Sequence, residues 1–70
     1  MVFVVMEIQS DNEKAATLIN SYTDRNEAES KFHQILGAAA ISNVLIHSAV
    51  LLTDTGKVLK NETYQHESEK

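Results

Sequence analysis

Cysteine and proline are absent from this chain of 70 residues, and glycine occurs only twice. Without cysteine there is neither a disulfide nor a thiolate metal site, and the redox compartment stays undetermined. Without proline, and with so little glycine, no flexible linker between two domains can be recognised. We therefore predict a single domain over residues 1–66, followed by a frayed and charged tail over residues 67–70.

Long hydrophobic runs and an excess of positive charge are also missing. The formal net charge is −4, from ten acidic residues against six lysines and arginines. A nucleic-acid surface needs clustered basic residues, and on a sheet it also needs aromatic residues beside them. The apolar segment over residues 1–10 is too short to span a membrane and lacks the basic flank of a signal peptide. We expect no nucleic-acid partner, no membrane partner and a cytoplasmic location.

The first half of the chain predicts a hairpin of two strands. Val2–Gln9 alternates with the period of a strand; one of its faces is wholly apolar and the other is half apolar, which is typical of a central strand. Turn-forming residues follow over 10–13. Ala15–Thr23 favours a second strand because it contains threonines, an isoleucine and a tyrosine. The alternative is a helix that begins near Asp11, since Glu13-Lys14-Ala15-Ala16 are good helix formers.

A helix is predicted from about Asp24 to Ser42. Asp24 and Glu27 have the spacing of a capping box, and Asn43 can end the helix. Gly37 in its interior costs up to about 1 kcal/mol relative to alanine, which indicates close packing against either the protein's own sheet or a partner helix. The apolar stripe of this helix consists of Ala28, Phe32, Ile35, Leu36 and Ala39.

The second half of the chain predicts another hairpin. Val44–Leu52 is apolar on both faces, Thr53–Gly56 forms the loop, and Lys57–Gln65 is a weakly apolar return strand. The fold class is therefore α+β with the element order ββαββ. A right-handed crossover between the second and third strands gives a four-stranded sheet of order 2-1-3-4, with one helix on one face.

One helix covers one face of such a sheet, and the other face is too apolar to stay in water. An exposed apolar patch of several hundred Å² exceeds what soluble monomers usually tolerate. A closed homodimer is the simplest solution, and a different protein partner is the alternative. The sequence leaves open which face of strand 44–52 meets the helix. The candidate interface residues are Phe3, Val5, Ala38, Ile41, Leu45, Ala49 and Leu51.

The residues with nucleophilic, acid–base or metal-binding side chains form no recognised catalytic or cofactor motif. We therefore predict no catalytic residues and no cofactor. Glu29 and His33 are four residues apart on the helix, and His47 could add a third metal ligand. The simpler interpretation is a solvated helical pair and a separate histidine on the sheet. His47 and Ser48 are neighbours on one strand, so their side chains point to opposite faces and cannot form a nucleophile–base pair.

Three segments resemble short uncharacterised proteins of Gram-positive bacteria and their mobile elements. They are Phe3–Gln9, Tyr22–His33 and His47–Thr53. The resemblance implies a bacterial, cytoplasmic origin and no particular activity.

The function predicted from these observations is a small non-enzymatic interaction module that acts as a homodimer. The first alternative is an accessory or inhibitor protein that binds a different protein. The second is a small metal- or ligand-binding enzyme that uses Glu29, His33 and His47.

Overall fold

Five elements follow one another in the order strand, strand, helix, strand, strand. The computed structural model describes residues 1–66, so the predicted tail over 67–70 lies outside the described residues. All strand pairs are antiparallel and the sheet order is β2-β1-β3-β4, which confirms the predicted fold class. The elements are β1 (Phe3–Ser10), β2 (Ala15–Tyr22), α1 (Arg25–Ala40), β3 (Ile46–Thr53) and β4 (Val58–Gln65).

The segment with the ambiguous sequence, β2, is an edge strand. It pairs with β1 along its whole length, from Phe3 opposite Tyr22 to Ser10 opposite Ala15. The turn before it is closed by Asp11, whose carboxylate accepts hydrogen bonds from the backbone N–H groups of Glu13 and Lys14. The backbone N–H of Asp11 donates to the carbonyl of Lys14, and Asn12 has a φ of 79°, so the chain reverses its direction here and enters an extended strand instead of a helix.

The helix begins where its capping residue predicts. The side chain of Asp24 accepts a hydrogen bond from the backbone N–H of Asn26 at 3.1 Å. The helix ends at Ala40, two residues before the predicted end at Ser42, and Ile41 is its C-cap. Gly37 is exposed, and a Cβ added there would meet no atom within 4 Å. Packing of Gly37 against the protein's own sheet, one of the two predictions, is therefore wrong.

The core lies between the helix and one face of the sheet. Val5 on β1 and Ala49 and Leu51 on β3 are fully buried, and the helix packs Phe32 and Ile35 against them. The helix therefore covers the odd-numbered side of β1 and β3. None of the helical structure described over residues 1–66 has both the length and the hydropathy that a membrane-spanning helix requires.

This packing corrects the predicted interface. Val5, Ala49 and Leu51 are core residues with no exposed surface, and Phe3 packs against the same core. They cannot lie on an uncovered face. The prediction was wrong because apolar residues occur on both sides of β1 and β3, so alternation alone does not say which side the helix covers.

Candidate functional site

The side of the sheet opposite the helix is covered by no element of residues 1–66, and we call it the open face. Its members follow from the strand register, because directly paired residues point to the same side of a sheet. Met6, for example, is paired with Ile19 on β2 and with Val50 on β3. The open face consists of Val4, Met6, Ile8, Ser10, Ala15, Thr17, Ile19, Ser21, Ile46, Ser48, Val50, Leu52, Val58, Asn61, Thr63 and Gln65.

An apolar stripe runs across the middle of the open face. Met6 and Val50 lie at its centre and are only half-buried, although they belong to the two central strands. Towards the edges the side chains are more exposed: Ile19 is 59% exposed and Val58 is 52% exposed. Ile19, Met6 and Val50 are paired directly across three strands, and Val58 is paired with Leu52, the next open-face residue of β3. These residues therefore form one patch rather than scattered apolar residues.

Charge is distributed unequally between the two sides of the sheet. The open face as defined contains no Asp, Glu, Lys, Arg or His residue, although charged residues make up 23% of the chain. The charged residues within β4, Lys60 and Glu62, are paired with Leu51 and Ala49 and so lie on the helix side. Lys60 Nζ is 2.9 Å from a carboxylate oxygen of Glu29 on the helix. The open face is therefore apolar in its centre and neutral at its margins.

Three polar side chains meet on the helix side, near the C-terminal end of the helix. His47 is only 3% exposed. Its Nε2 lies 2.6 Å from Glu7 Oε2, and its Nδ1 lies 3.1 Å from Ser42 Oγ. Ser42 Oγ also accepts a hydrogen bond from the backbone N–H of Val44. We call Glu7, His47 and Ser42 the polar triad.

Glu7 fixes the proton positions within the polar triad. Burial alone would raise the pKa of Glu7, but hydrogen bonds from His47 and Gln9 and the positive charge of Lys31 lower it below its ordinary value of 4.5. Glu7 is therefore a carboxylate at neutral pH and can only accept hydrogen bonds. His47 must donate through Nε2, which leaves the Nδ1 of a neutral ring as the acceptor of the Ser42 hydroxyl proton.

Ser42 lies in the wall of a surface groove. This groove has a volume of about 1190 Å³ and runs between the β1–β2 hairpin and the loop from the helix to β3. Its polar groups include Asp11 and Lys14 on one side and Asn43 on the other. The full lining comprises Gln9, Ser10, Asp11, Lys14, Ala15, Ala16, Ser42, Asn43, Val44, Leu45 and His66.

The predicted metal ligands do not come together. Among residues 1–66, no three His, Cys, Asp or Glu side chains are placed to hold a metal ion. Glu29 binds Arg25 and Lys60, His33 is exposed, and both ring nitrogens of His47 are hydrogen-bonded within the polar triad. The metal-site hypothesis is therefore wrong, because Glu29 has cationic neighbours and His47 has other partners.

The remaining predicted interface residues do not belong to the open face. Ala38 is exposed on the helix, and Ile41, its C-cap, is 86% exposed. Leu45 is half-buried in the loop before β3, where its carbonyl accepts a hydrogen bond from the backbone N–H of His66. Ala38 and Ile41 therefore lie at the helix and its C-terminal end, and Leu45 lies in the loop that leads into β3.

The polar triad was missed by sequence reasoning, which placed Ser42 at the end of the helix and His47 on a strand, with nothing in the sequence to bring them together. Glu7 and Gln9 share one side of β1, and Gln9 is paired with His47. Glu7 is therefore a diagonal neighbour of His47 in the sheet. The signal that could have found the pair is the β1–β3 register combined with the need to satisfy a buried Glu7.

Comparisons with family models, curated proteins and solved structures gave no match. The resemblance to proteins of Gram-positive bacteria stays a prediction.

Proposed function

We propose that the protein is a small interaction module that acts as a homodimer, with the open faces of two copies packed against each other. The observation that carries the proposal is the absence of any charged side chain on the open face. When one face of a sheet stays in water, the strands ordinarily place polar and charged residues on that face. A face without them is typical of a surface that is covered, since charged residues are depleted at the centre of protein interfaces.

The size of the open face supports one partner that covers all of it. Four strands of eight residues each have a flat footprint of about 500 Å², given strand spacings of about 4.8 Å and a rise of about 3.3 Å per residue. Two such faces bury about 1,000 Å² together, which is near the lower limit of specific interfaces. A partner that covered only part of the face would fall below that limit.

A second copy matches this face in both dimensions and charge. Two identical copies of a face with no charge place no like charges opposite each other, although the chain as a whole carries a net charge of −4. A strongly charged partner would find no complementary group on the open face. A single-stranded nucleic acid would find neither aromatic nor basic residues there, and a sheet that stacks bases requires both.

The test introduces a positive charge at two positions of the open face in separate variants. Val50→Lys places it at the centre, and Ile19→Lys places it near the β2 edge, where the side chain is already 59% exposed. Both variants should sediment as monomers at concentrations at which the wild-type protein is a dimer, because an unpaired buried charge is strongly unfavourable. Analytical ultracentrifugation over a concentration series measures this difference.

Ala38→Lys is the matched control, because it adds the same charge to the exposed surface of the helix. It should dimerise like the wild-type protein. The far-UV circular dichroism spectrum of each variant reports whether the monomer keeps its fold. A wild-type protein that is monomeric at every concentration, or a dimer broken by Ala38→Lys and not by Val50→Lys or Ile19→Lys, would overturn the proposal.

A further inference from the structure

We propose that Ser42 is a nucleophile, activated by His47 and Glu7, and that the groove presents it to an activated acyl compound such as an ester. The proposal rests on the linear arrangement of the polar triad. The carboxylate of Glu7 contacts one ring nitrogen of His47, and the other ring nitrogen contacts the hydroxyl of Ser42. An acid, an imidazole and a hydroxyl joined in this order form the arrangement by which a serine is activated in acyl transfer.

The direction of the hydrogen bonds gives each residue a role. Because Glu7 is ionised, His47 Nε2 donates to it, and His47 Nδ1 is left to accept the proton of Ser42. When Ser42 loses its proton, the ring becomes a cation beside the Glu7 carboxylate, which stabilises that charge. The backbone N–H of Val44 donates to Ser42 Oγ and so stabilises negative charge on it. Glu7 acts through His47 and is a positioning residue.

The need of buried His47 for a hydrogen-bond partner does not by itself explain where Ser42 lies. A buried imidazole needs hydrogen-bond partners, and any buried hydroxyl or carbonyl would satisfy it. Here the partner is Ser42, which is half-buried and lines the groove. His47, by contrast, is 3% exposed, so water does not compete for its ring nitrogens. The base is therefore shielded while the nucleophile remains reachable from solvent.

The reaction needs no oxidant, reductant or metal. Ser42 Oγ forms a bond with the carbonyl carbon of the ester, and the bond between that carbon and the leaving oxygen breaks. The proton of Ser42 passes to His47 Nδ1 and from there to the leaving oxygen. The products are an acyl ester of Ser42 and a free alcohol, and His47 returns to its neutral state.

The probe is an alkyl fluorophosphonate, whose tetrahedral phosphorus stands in for the attacked carbonyl carbon. Labelling forms an oxygen–phosphorus bond at the serine and releases fluoride, and His47 takes up the serine proton. Peptide mapping by mass spectrometry gives the labelling rate of each serine. Ser42 should react about a hundredfold or more faster than Ser30, an exposed serine of the helix that serves as an internal control.

Two variants separate activation from folding. His47→Gln should reduce the labelling rate of Ser42 to that of Ser30, since glutamine cannot act as the base. Glu7→Gln should give an intermediate rate because the histidine keeps an acceptor but loses the neighbouring charge. Val50→Lys, on the other side of the sheet, should leave the rate unchanged, so the result is independent of the dimer proposal.

Two results would overturn the proposal. The first is a wild-type protein in which Ser42 reacts no faster than Ser30, a comparison within one molecule that needs no folded variant. The second is a His47→Gln protein, shown to be folded by circular dichroism, in which Ser42 is labelled as fast as in the wild type.

Discussion

Glu7 Oε2 and His47 Nε2 are 2.6 Å apart, although the two residues are separated by 40 positions in the chain. The contact links the two central strands on the helix side of the sheet. Both side chains are largely buried, with exposed fractions of 16% for Glu7 and 4% for His47. Because each group gives the other a hydrogen-bond partner, a carboxylate and an imidazole can be buried on the side of the sheet that the helix covers.

Replacing Glu7 with glutamine should lower stability at neutral pH and change its dependence on pH. A hydrogen bond to a charged group contributes about 1.5–3 kcal/mol to the free energy of unfolding, so a loss of about that size is expected at pH 7. The pKa of Glu7 is lowered in the folded protein, so the unfolded chain binds the proton more readily. The contribution is complete above pH 4.5, the ordinary pKa of Glu7, and is lost as the pH falls through the folded-state pKa.

Urea unfolding at a series of pH values measures this difference, which should shrink as the solution is acidified. Glu29→Gln is the comparison, because the pKa of Glu29 is also lowered, by hydrogen bonds from Lys60 and Arg25. Glu29 faces solvent, so water screens its interactions and its pH-dependent effect should be smaller. A difference between wild type and Glu7→Gln that stays constant from neutral to acidic pH would contradict this account.

The order of the strands in the sheet was predictable from the sequence, but the side of the sheet that the helix covers was not. The crossover helix and the apolar character of β1 and β3 are local properties, and together they place these strands at the centre. The side that faces the helix carries Val5 but also Glu7 and His47, whose burial is explained only by their contact with each other. That contact joins residues far apart in sequence, and no local pattern contains it.

The polar triad could also not be predicted from the sequence, because it depends on the residue at which the helix ends. The apolar and small residues after Gln34 continue the helical pattern as far as Ile41, which favoured an end at Ser42. In the structure Ile41 is the C-cap, and Ser42 begins the loop, where its hydroxyl can turn towards His47. A difference of two residues decides whether this serine is helical or lies in the groove wall.

The two glycines should respond oppositely to alanine. Gly37 lies within the helix, and a Cβ there meets nothing within 4 Å, so Gly37→Ala should stabilise the protein by about 0.5–1 kcal/mol. Gly56 has a φ of 89°, a conformation that disfavours a side chain by about 1–2 kcal/mol, so Gly56→Ala should destabilise it. Thermal unfolding of both variants measures the difference, and a lowered melting temperature for Gly37→Ala would mean that a partner packs against that part of the helix.

Salt should leave the proposed dimer intact. The interface contains no charged side chain from the open face, so it includes no ion pair for salt to screen. Each copy nevertheless carries a net charge of −4, and this repulsion between copies is screened when the Debye length falls from roughly 10 Å at about 0.1 M salt to roughly 3 Å at about 1 M. Sedimentation at these two salt concentrations should therefore give an equal or smaller dissociation constant at the higher one. A dissociation constant that rises severalfold with salt would mean that charged residues hold the two copies together, which the open face cannot supply.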